Sequence, residues 1–140
     1  MADTSLGFRF DHCQSGESPN IQKLVFKDSE TLTKGDLVNL ESGEVDLAAT
    51  ADTALLGMVV QTLAGTDSVT EIEVITSQDA VYRVYDANAR VIGATLDIAG
   101  ATGLMTVAAS SNADLVVVAN STASEETLVK IAHDSHALNA

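Results

Sequence analysis

The sequence predicts an all-β domain, and three observations support this prediction. Apolar and polar residues alternate with a period of two in residues 68–76 and 94–99, which is typical of half-buried strands. Turn-forming residues separate short β-like runs at about the spacing found in β-sandwiches and barrels. The 140 residues, enough for one domain, contain no sustained 3.6-residue periodicity. Because no crossover helix fits between the strands, a parallel βαβ architecture is not expected.

Ten segments share the β-like pattern. In chain order they are residues 21–27, 37–40, 44–48, 54–63, 68–76, 80–86, 94–99, 104–108, 115–119 and 127–132. Ser42 and Gly43 predict a tight hairpin with a positive φ at Gly43. Residues 54–63 are apolar on both faces, as in a central buried strand. Helix is expected for a turn or two only, over residues 48–55 and 122–126.

Residues 1–20 differ from the rest of the chain. They carry scattered polar residues with Gly7, Gly16 and Pro19, and they show no periodicity. This pattern predicts an irregular, extended N-terminal arm, followed by a β domain over residues 21–140. Phe8 and Phe10 share a face if the arm is extended, and they are the candidate anchors on a partner. We expect the arm to contribute little to folding and much to attachment.

The charge balance restricts the partners. The sequence contains seven Lys and Arg and 20 Asp and Glu, which gives a net charge of -13. Nucleic acid and anionic membranes would therefore be repelled. Residues 1–10 lack the pattern of a secretory signal, so synthesis in a cytoplasm is expected. Neighbouring copies would also repel one another. We therefore expect contacts made by apolar and small residues, and oligomerisation to supplement a core of small side chains.

Two histidine-containing groups are candidates for chemistry. His133, Asp134 and His136 could hold a metal on a helix, but no fourth ligand lies nearby, which favours a polar tail. His12 and Cys13 are adjacent, and adjacent side chains of an extended chain point apart, so a thiol–imidazole pair is not expected.

Paired carboxylates and nucleophile motifs give no stronger signal. Glu71 and Glu73 share one strand face, but it lies opposite Ile72 and Val74 and is expected to be solvated. Glycosidases also use aromatic platforms, and the chain has few aromatic residues. The patterns GxSxG, GxxxxGK[ST] and GxGxxG are absent. The sequence therefore predicts a non-enzymatic protein without a cofactor or metal.

Three stretches carry a family resemblance. Residues 32–60, LTKGDLVNLESGEVDLAATADTALLGMVV, have a Gly-Asp that opens a hairpin, a Gly turn and an Ala-Thr-Ala-Asp-Thr segment before a Gly-containing apolar strand. Residues 91–103, VIGATLDIAGATG, and residues 112–131 complete the pattern. The sequence resembles phage head decoration proteins of the lambda type, also called cement proteins.

The resemblance implies a compact β-barrel or β-tulip (β-clip-like) fold. It also implies homotrimers on the outer surface of a capsid, where they stabilise contacts between subunits of the major capsid protein. No enzymatic residue is implied. The alternative is a small non-catalytic receptor- or glycan-binding module displayed on a particle. That module would need a metal or exposed aromatics, for which only Tyr82 and Tyr85 are candidates.

Overall fold

The computed structural model describes residues 7–25, 31–41, 43–49, 54–64, 71–100, 102–109, 113–123, 125–132 and 136–138. Within them every helix or strand is a β-strand. The strands are β1 (Arg9–Cys13), β2 (Ile21–Val25), β3 (Thr31–Leu32), β4 (Leu37–Glu41), β5 (Glu44–Leu47), β6 (Leu55–Met58), β7 (Leu63–Ala64), β8 (Glu71–Ile75), β9 (Ala80–Asp86), β10 (Thr95–Ala99), β11 (Thr106–Ala109), β12 (Leu115–Val117) and β13 (Glu125–Ile131). The all-β prediction is confirmed.

The strands form four sheets. The principal sheet has six antiparallel strands in the order β1-β9-β13-β12-β10-β11. A three-stranded sheet has the order β5-β4-β6, and the pairs β2-β8 and β3-β7 form two smaller sheets. All these pairings are antiparallel, as short strands joined without crossover helices require.

The hairpin between β4 and β5 follows the sequence prediction. Glu41 pairs with Glu44, and Gly43 adopts a φ of 81°. A side chain at Gly43 would meet nothing within 4 Å, so the left-handed backbone is what favours glycine here. Ser42 itself lies outside the described residues.

Two predictions for the middle and end of the chain need correction. Residues 54–63 do not form one strand: β6 ends at Met58 and β7 begins at Leu63. The helical turns are also wrong, since Leu55 begins β6 and Glu125 begins β13, although residues 50–53 and 124 lie outside the described part. Glu125 pairs with Asp86 on β9. Strand pairing therefore overrides the local capping signal that predicted a helical turn over residues 122–126.

The core consists of two clusters on either side of β6. One lies against the principal sheet and includes Tyr82, Leu96 and Leu115. The other lies among β4, β5 and β8 and includes Val38, Val45 and Ile72. Leu55 belongs to the first cluster and Leu56 to the second, so β6 is buried on both faces, as the sequence indicated.

Gly57 allows β6 to approach β8 closely. A Cβ atom at this position would lie 1.8 Å from the carbonyl oxygen of Ile75 and 2.9 Å from the hydroxyl of Tyr82. The Ile75 carbonyl belongs to the backbone of a buried strand residue, and the Tyr82 ring is packed in the core. Neither group can therefore move aside to make room for a Cβ atom. The packing of the two clusters against β6 therefore requires glycine.

The N-terminal segment differs from the predicted irregular arm. Arg9–Cys13 form β1, which pairs with β9 at one edge of the principal sheet. Phe8 is 1% exposed and belongs to the core. A bulge between Phe10 and His12 interrupts the pairing, which explains why no period is visible in the sequence. This part of the segment is integral to the fold, contrary to the expectation that it contributes little to folding.

A buried carboxylate connects distant loops. Asp36 is fully buried and accepts hydrogen bonds from the backbone N–H of Thr33 at 2.8 Å and of Gly103 at 2.8 Å. The hydroxyl of Thr102 donates to the same carboxylate at 2.5 Å. The Asp36 side chain thereby fastens the turn before β4 to the turn before β11.

Candidate functional site

An open groove of about 620 Å³ lies beside the first strand. Apolar side chains supply most of its walls, and they come from four parts of the chain that are far apart in sequence. Phe10 lies on β1, Ile21 on β2, Met58 on β6 and Ile75 on β8. Phe8, Pro19 and Val60 complete the apolar lining.

Tyr82 holds the two aromatic residues of the N-terminal segment. The ring centroids of Phe8 and Phe10 lie 6.5 Å and 6.3 Å from that of Tyr82, with interplanar angles of 83° and 73°. These are edge-to-face contacts, an arrangement that aromatic pairs prefer. Both rings line the groove, but Phe8 is almost fully buried and belongs to the core, whereas Phe10 is half-buried. The two candidate anchors therefore have different surroundings, which the sequence could not distinguish.

The charges that line the groove are of one sign. Arg9 and Lys34 are among its lining residues, and among the described residues no Asp or Glu is. This is unusual for a chain in which 20 acidic residues oppose seven Lys and Arg. The groove is therefore an apolar region whose described lining holds no carboxylate, and the charge of Arg9 is balanced by Glu126 on β13.

An ion-pair network fixes the strand that carries Phe10. Arg9 on β1 binds Glu126 on β13, and Nε of Arg83 on β9 donates to Asp11 at 2.6 Å. Burial acts to raise the pKa of Asp11, but hydrogen bonds from His12 and Arg83 outweigh it and hold the pKa below its usual value. Since the network crosses three strands, β1 is held in place at the sheet edge.

An exposed face of β2 extends this surface from Ile21, which lines the groove. Ile21 is 48% exposed and Val25 is 42% exposed, although both are β-branched residues that strands usually bury. Their positions were predicted as a strand, but nothing in the local pattern showed that this strand would be exposed. Lys23 lies between them on the same face.

The structure separates His12 from Cys13. Cys13 is buried in the core, and burial raises the pKa of its thiol, so the sulfur is protonated at neutral pH. His12 is exposed, and its Nδ1 lies 2.5 Å from the carboxylate of Asp11. Side chains on opposite sides of β1 cannot act as a nucleophile and its base.

The remaining candidate residues are dispersed. His136 is buried, with its Nδ1 accepting a hydrogen bond from the N–H of Leu138 at 3.0 Å, whereas His133 and Asp134 lie outside the described residues. No cluster of three or more His, Cys, Asp or Glu suited to a metal occurs within the described ranges. Glu71 is exposed on β8, and Glu73 is half-buried beside it.

Two further features bear on the alternative functions. Tyr82 is buried, so the face of its ring is not available to stack against a sugar. The same burial raises the pKa of its hydroxyl.

In the described part of the chain, no helix has the length and apolar character needed to span a bilayer.

Comparisons with known proteins give a structural match. No family model matches the sequence, and no curated protein matches it. Among solved structures, the chain is similar to the N base of the head fiber gp8.5 of bacteriophage phi29, with a TM-score of 0.52 and 13% sequence identity. The match covers 83% of this chain and 98% of that chain. The two proteins share an all-β fold.

Proposed function

We propose that this protein is a non-enzymatic structural component of a phage head. It binds the outer surface of the capsid and stabilises contacts between subunits of the major capsid protein. The observation that carries the proposal is the similarity of fold to the base of a phage head fiber over 98% of that chain. The resemblance of residues 32–60 to decoration proteins points to the same class of function.

The groove beside β1 is the attachment surface in this proposal. It offers apolar area without carboxylates, so a protein of net charge -13 can approach a neighbour there with little repulsion. Phe10 is the contact residue, since it lines the groove and is held by Tyr82. Phe8 acts indirectly, because its ring supports Tyr82 from the core.

Co-sedimentation with undecorated heads of its own phage tests this function. The full-length protein should pellet with heads, and Phe10→Ala should weaken binding by about tenfold or more, since burying the rest of a Phe side chain contributes on the order of 1.5 kcal/mol. Ile92→Ala is the matched control, because Ile92 is 64% exposed and does not line the groove. Absence of pelleting by the wild-type protein would contradict the proposal.

The salt dependence of binding tests the nature of the contact. If apolar burial dominates, affinity should change little between low and high ionic strength, because screening acts on exposed charges. A steep loss of binding in salt would instead indicate that the acidic surface docks on a basic patch of the capsid. Decorated heads should also resist heat better than bare heads, because bound copies must leave before the subunits separate.

Trimer formation belongs to the same proposal. A core of small residues gains stability from additional buried area, and three copies around one axis would supply it. Light scattering of the free protein gives the mass directly, with a trimer of the 14.5 kDa chain expected. A monomeric mass both in solution and on heads would contradict the trimer without affecting attachment.

A second candidate is an anchoring base for a head fiber. It is favoured by the described similarity to a fiber base rather than to an isolated cement protein. Electron microscopy of decorated heads separates the two functions. Compact density at each site supports the cement role, whereas density extending outward from the bound domain supports an anchor.

A further inference from the structure

Two adjacent apolar side chains are exposed in the connection between β9 and β10. Val91 is 65% exposed and Ile92 is 64% exposed, the largest values among the exposed large apolar residues of the described chain. Single exposed apolar residues are ordinary on protein surfaces, but here the exposed neighbours are also small or uncharged. We call the exposed residues of segments 87–93 and 120–123 the apical patch; they are Ala87, Asn88, Ala89, Val91, Ile92, Gly93, Asn120, Thr122 and Ala123.

Hydrogen bonds join the two segments of the apical patch. Arg90 and Ser121 form an antiparallel bridge, in which the N–H of Ser121 donates to the carbonyl of Arg90 at 2.9 Å. The N–H of Ile92 donates to Oδ1 of Asn120 at 2.8 Å. Because these bonds already order the backbone, little conformational entropy remains to be lost when the patch is covered.

The apical patch is a neutral surface on an acidic protein. Residues 87–93 and 120–123 contain no Asp or Glu, so all 20 acidic residues lie elsewhere in the chain. Their one charged residue is Arg90, whose Nε donates to the carboxylate of Asp86 at 2.6 Å. The side chains of this ion pair are 15% and 2% exposed, so the pair lies largely beneath the surface.

The charge distribution selects a second copy of this chain as the occupant. A copy carries the same net charge of -13, so the acidic parts of the surface repel it and a surface without carboxylates repels it least. A basic partner would gain no attraction from such a surface. Small and apolar residues are also the contacts expected between copies of so acidic a protein.

The apical patch and the groove beside β1 are separate surfaces. Strand β1, which carries Phe10, pairs with residues 80–83 at the beginning of β9, whereas the patch follows Asp86 at the end of β9. No residue of the patch lines the groove. One copy can therefore use both surfaces at once.

We propose that copies of this protein associate through the apical patch, with Val91 and Ile92 of three copies meeting around a threefold axis. This inference rests on the proposed trimer and names the surface that forms it. Cyclic symmetry brings the same residues of every copy together at the axis. An apolar residue there is buried in all three copies, and a charged residue would face two others of its own sign.

A charge at Val91 tests the contact through the mass of the protein. Val91→Asp should raise the concentration at which half of the trimer has dissociated by about a hundredfold or more, because each copy loses an apolar contact and gains a charge at the axis. Sedimentation equilibrium measures this concentration. Leu104→Asp is the matched control and should stay trimeric, since Leu104 is 57% exposed but follows β10, whereas the patch precedes it. Val91→Asp should still pellet with heads, because its groove is intact.

Cross-linking tests the proximity of the copies directly. Val91→Cys keeps the position apolar, and the native Cys13 is 3% exposed, so a short bismaleimide should react at position 91 alone. We expect covalent dimers of Val91→Cys at concentrations at which the wild-type protein is trimeric. Leu104→Cys should give no covalent dimer under the same conditions.

The outcomes separate this inference from the trimer on which it rests. If the wild-type protein is monomeric in solution and on heads, both are wrong. If it is trimeric but Val91→Asp dissociates at the same concentration, or Val91→Cys does not cross-link, only the assignment of the apical patch is overturned. Loss of head binding by Val91→Asp with an unchanged mass would identify the head as the occupant and would also overturn it. If Val91→Asp fails to fold, the cross-linking measurement decides.

Discussion

Replacing Asp36 by Asn is the sharpest test of how this fold is held together. The carboxylate accepts one hydrogen bond on Oδ1, from Gly103, and two on Oδ2, from Thr33 and Thr102. An amide keeps the shape but turns one acceptor into a donor. The hydroxyl of Thr102 can rotate to accept from it, whereas a backbone N–H cannot. Whichever way the amide is oriented, one N–H group, of Thr33 or of Gly103, loses its acceptor.

The expected cost follows from this geometry. A buried donor left without a partner costs about 1–3 kcal/mol, and the remaining bonds lose the strength of a charged acceptor. We expect Asp36→Asn to lower the free energy of unfolding by about 2–3 kcal/mol, which lowers the urea midpoint by about 1–2 M. Thr102→Val removes the hydroxyl that donates to Asp36 and accepts from the hydroxyl of Thr33, but both backbone N–H groups keep their acceptor, so about 1 kcal/mol is expected. Glu71→Gln, on an exposed strand position, should change stability by less than about 0.5 kcal/mol.

Urea denaturation followed by circular dichroism measures all three variants. The order of destabilisation should be Asp36→Asn, then Thr102→Val, then Glu71→Gln. If Asp36→Asn unfolds at the same urea concentration as wild type, the carboxylate does not satisfy both backbone donors. The two loops would then be held by other contacts.

Four further predictions follow from individual positions. Gly57→Ala places a methyl group 1.8 Å from the carbonyl of Ile75, so we expect almost no folded soluble protein; expression at wild-type yield would contradict the close approach. Gly43→Val meets no atom within 4 Å and should cost only the strain of its φ, about 1 kcal/mol or somewhat more, seen as a few degrees in the melting temperature. Phe8→Ala should destabilise the free protein by about 3–5 kcal/mol in chemical denaturation, and a near-native stability would place this ring outside the core. The N–H of Ser15 lowers the pKa of Asp79 below its usual 3.8, so this group stabilises the fold above that pH and the contribution is lost as the pH falls through the folded-state value. Asp79→Asn should therefore lose less stability than wild type in an acid titration, and superimposable curves would refute the assignment.

Local pattern was sufficient for most of the strands. Alternation in residues 68–76 and 94–99 corresponds to β8 and β10, because a strand with one buried face needs apolar residues at every second position. The turn at Gly43 could also be predicted, because a positive φ depends only on the turn residues themselves. These features depend on neighbours in sequence, so one chain read in order reveals them.

The candidate site was only partly readable. Phe10 could be singled out as an alternate aromatic residue, but its neighbours in the groove come from β2, β6 and β8. Ile21 and Met58 look alike in sequence, as apolar residues of predicted strands, yet one is exposed and the other is buried. Exposure depends on which strand lies at a sheet edge, and that is settled only when all the strands have paired.

The sequence by itself determined that the chain is all-β, where most strands lie, and that its net charge is -13. The tertiary structure alone decided that β1 joins the principal sheet, since Phe10 pairs with Tyr82, far along the chain, and a bulge hides the period. It also decided that Phe8 is core, that Gly57 is obligatory and that Asp36 joins two loops. The physical reason is that strand pairing and close packing are contacts between segments remote in sequence. Which segments pair and pack together depends on the complete fold, and short-range periodicity carries no information about it.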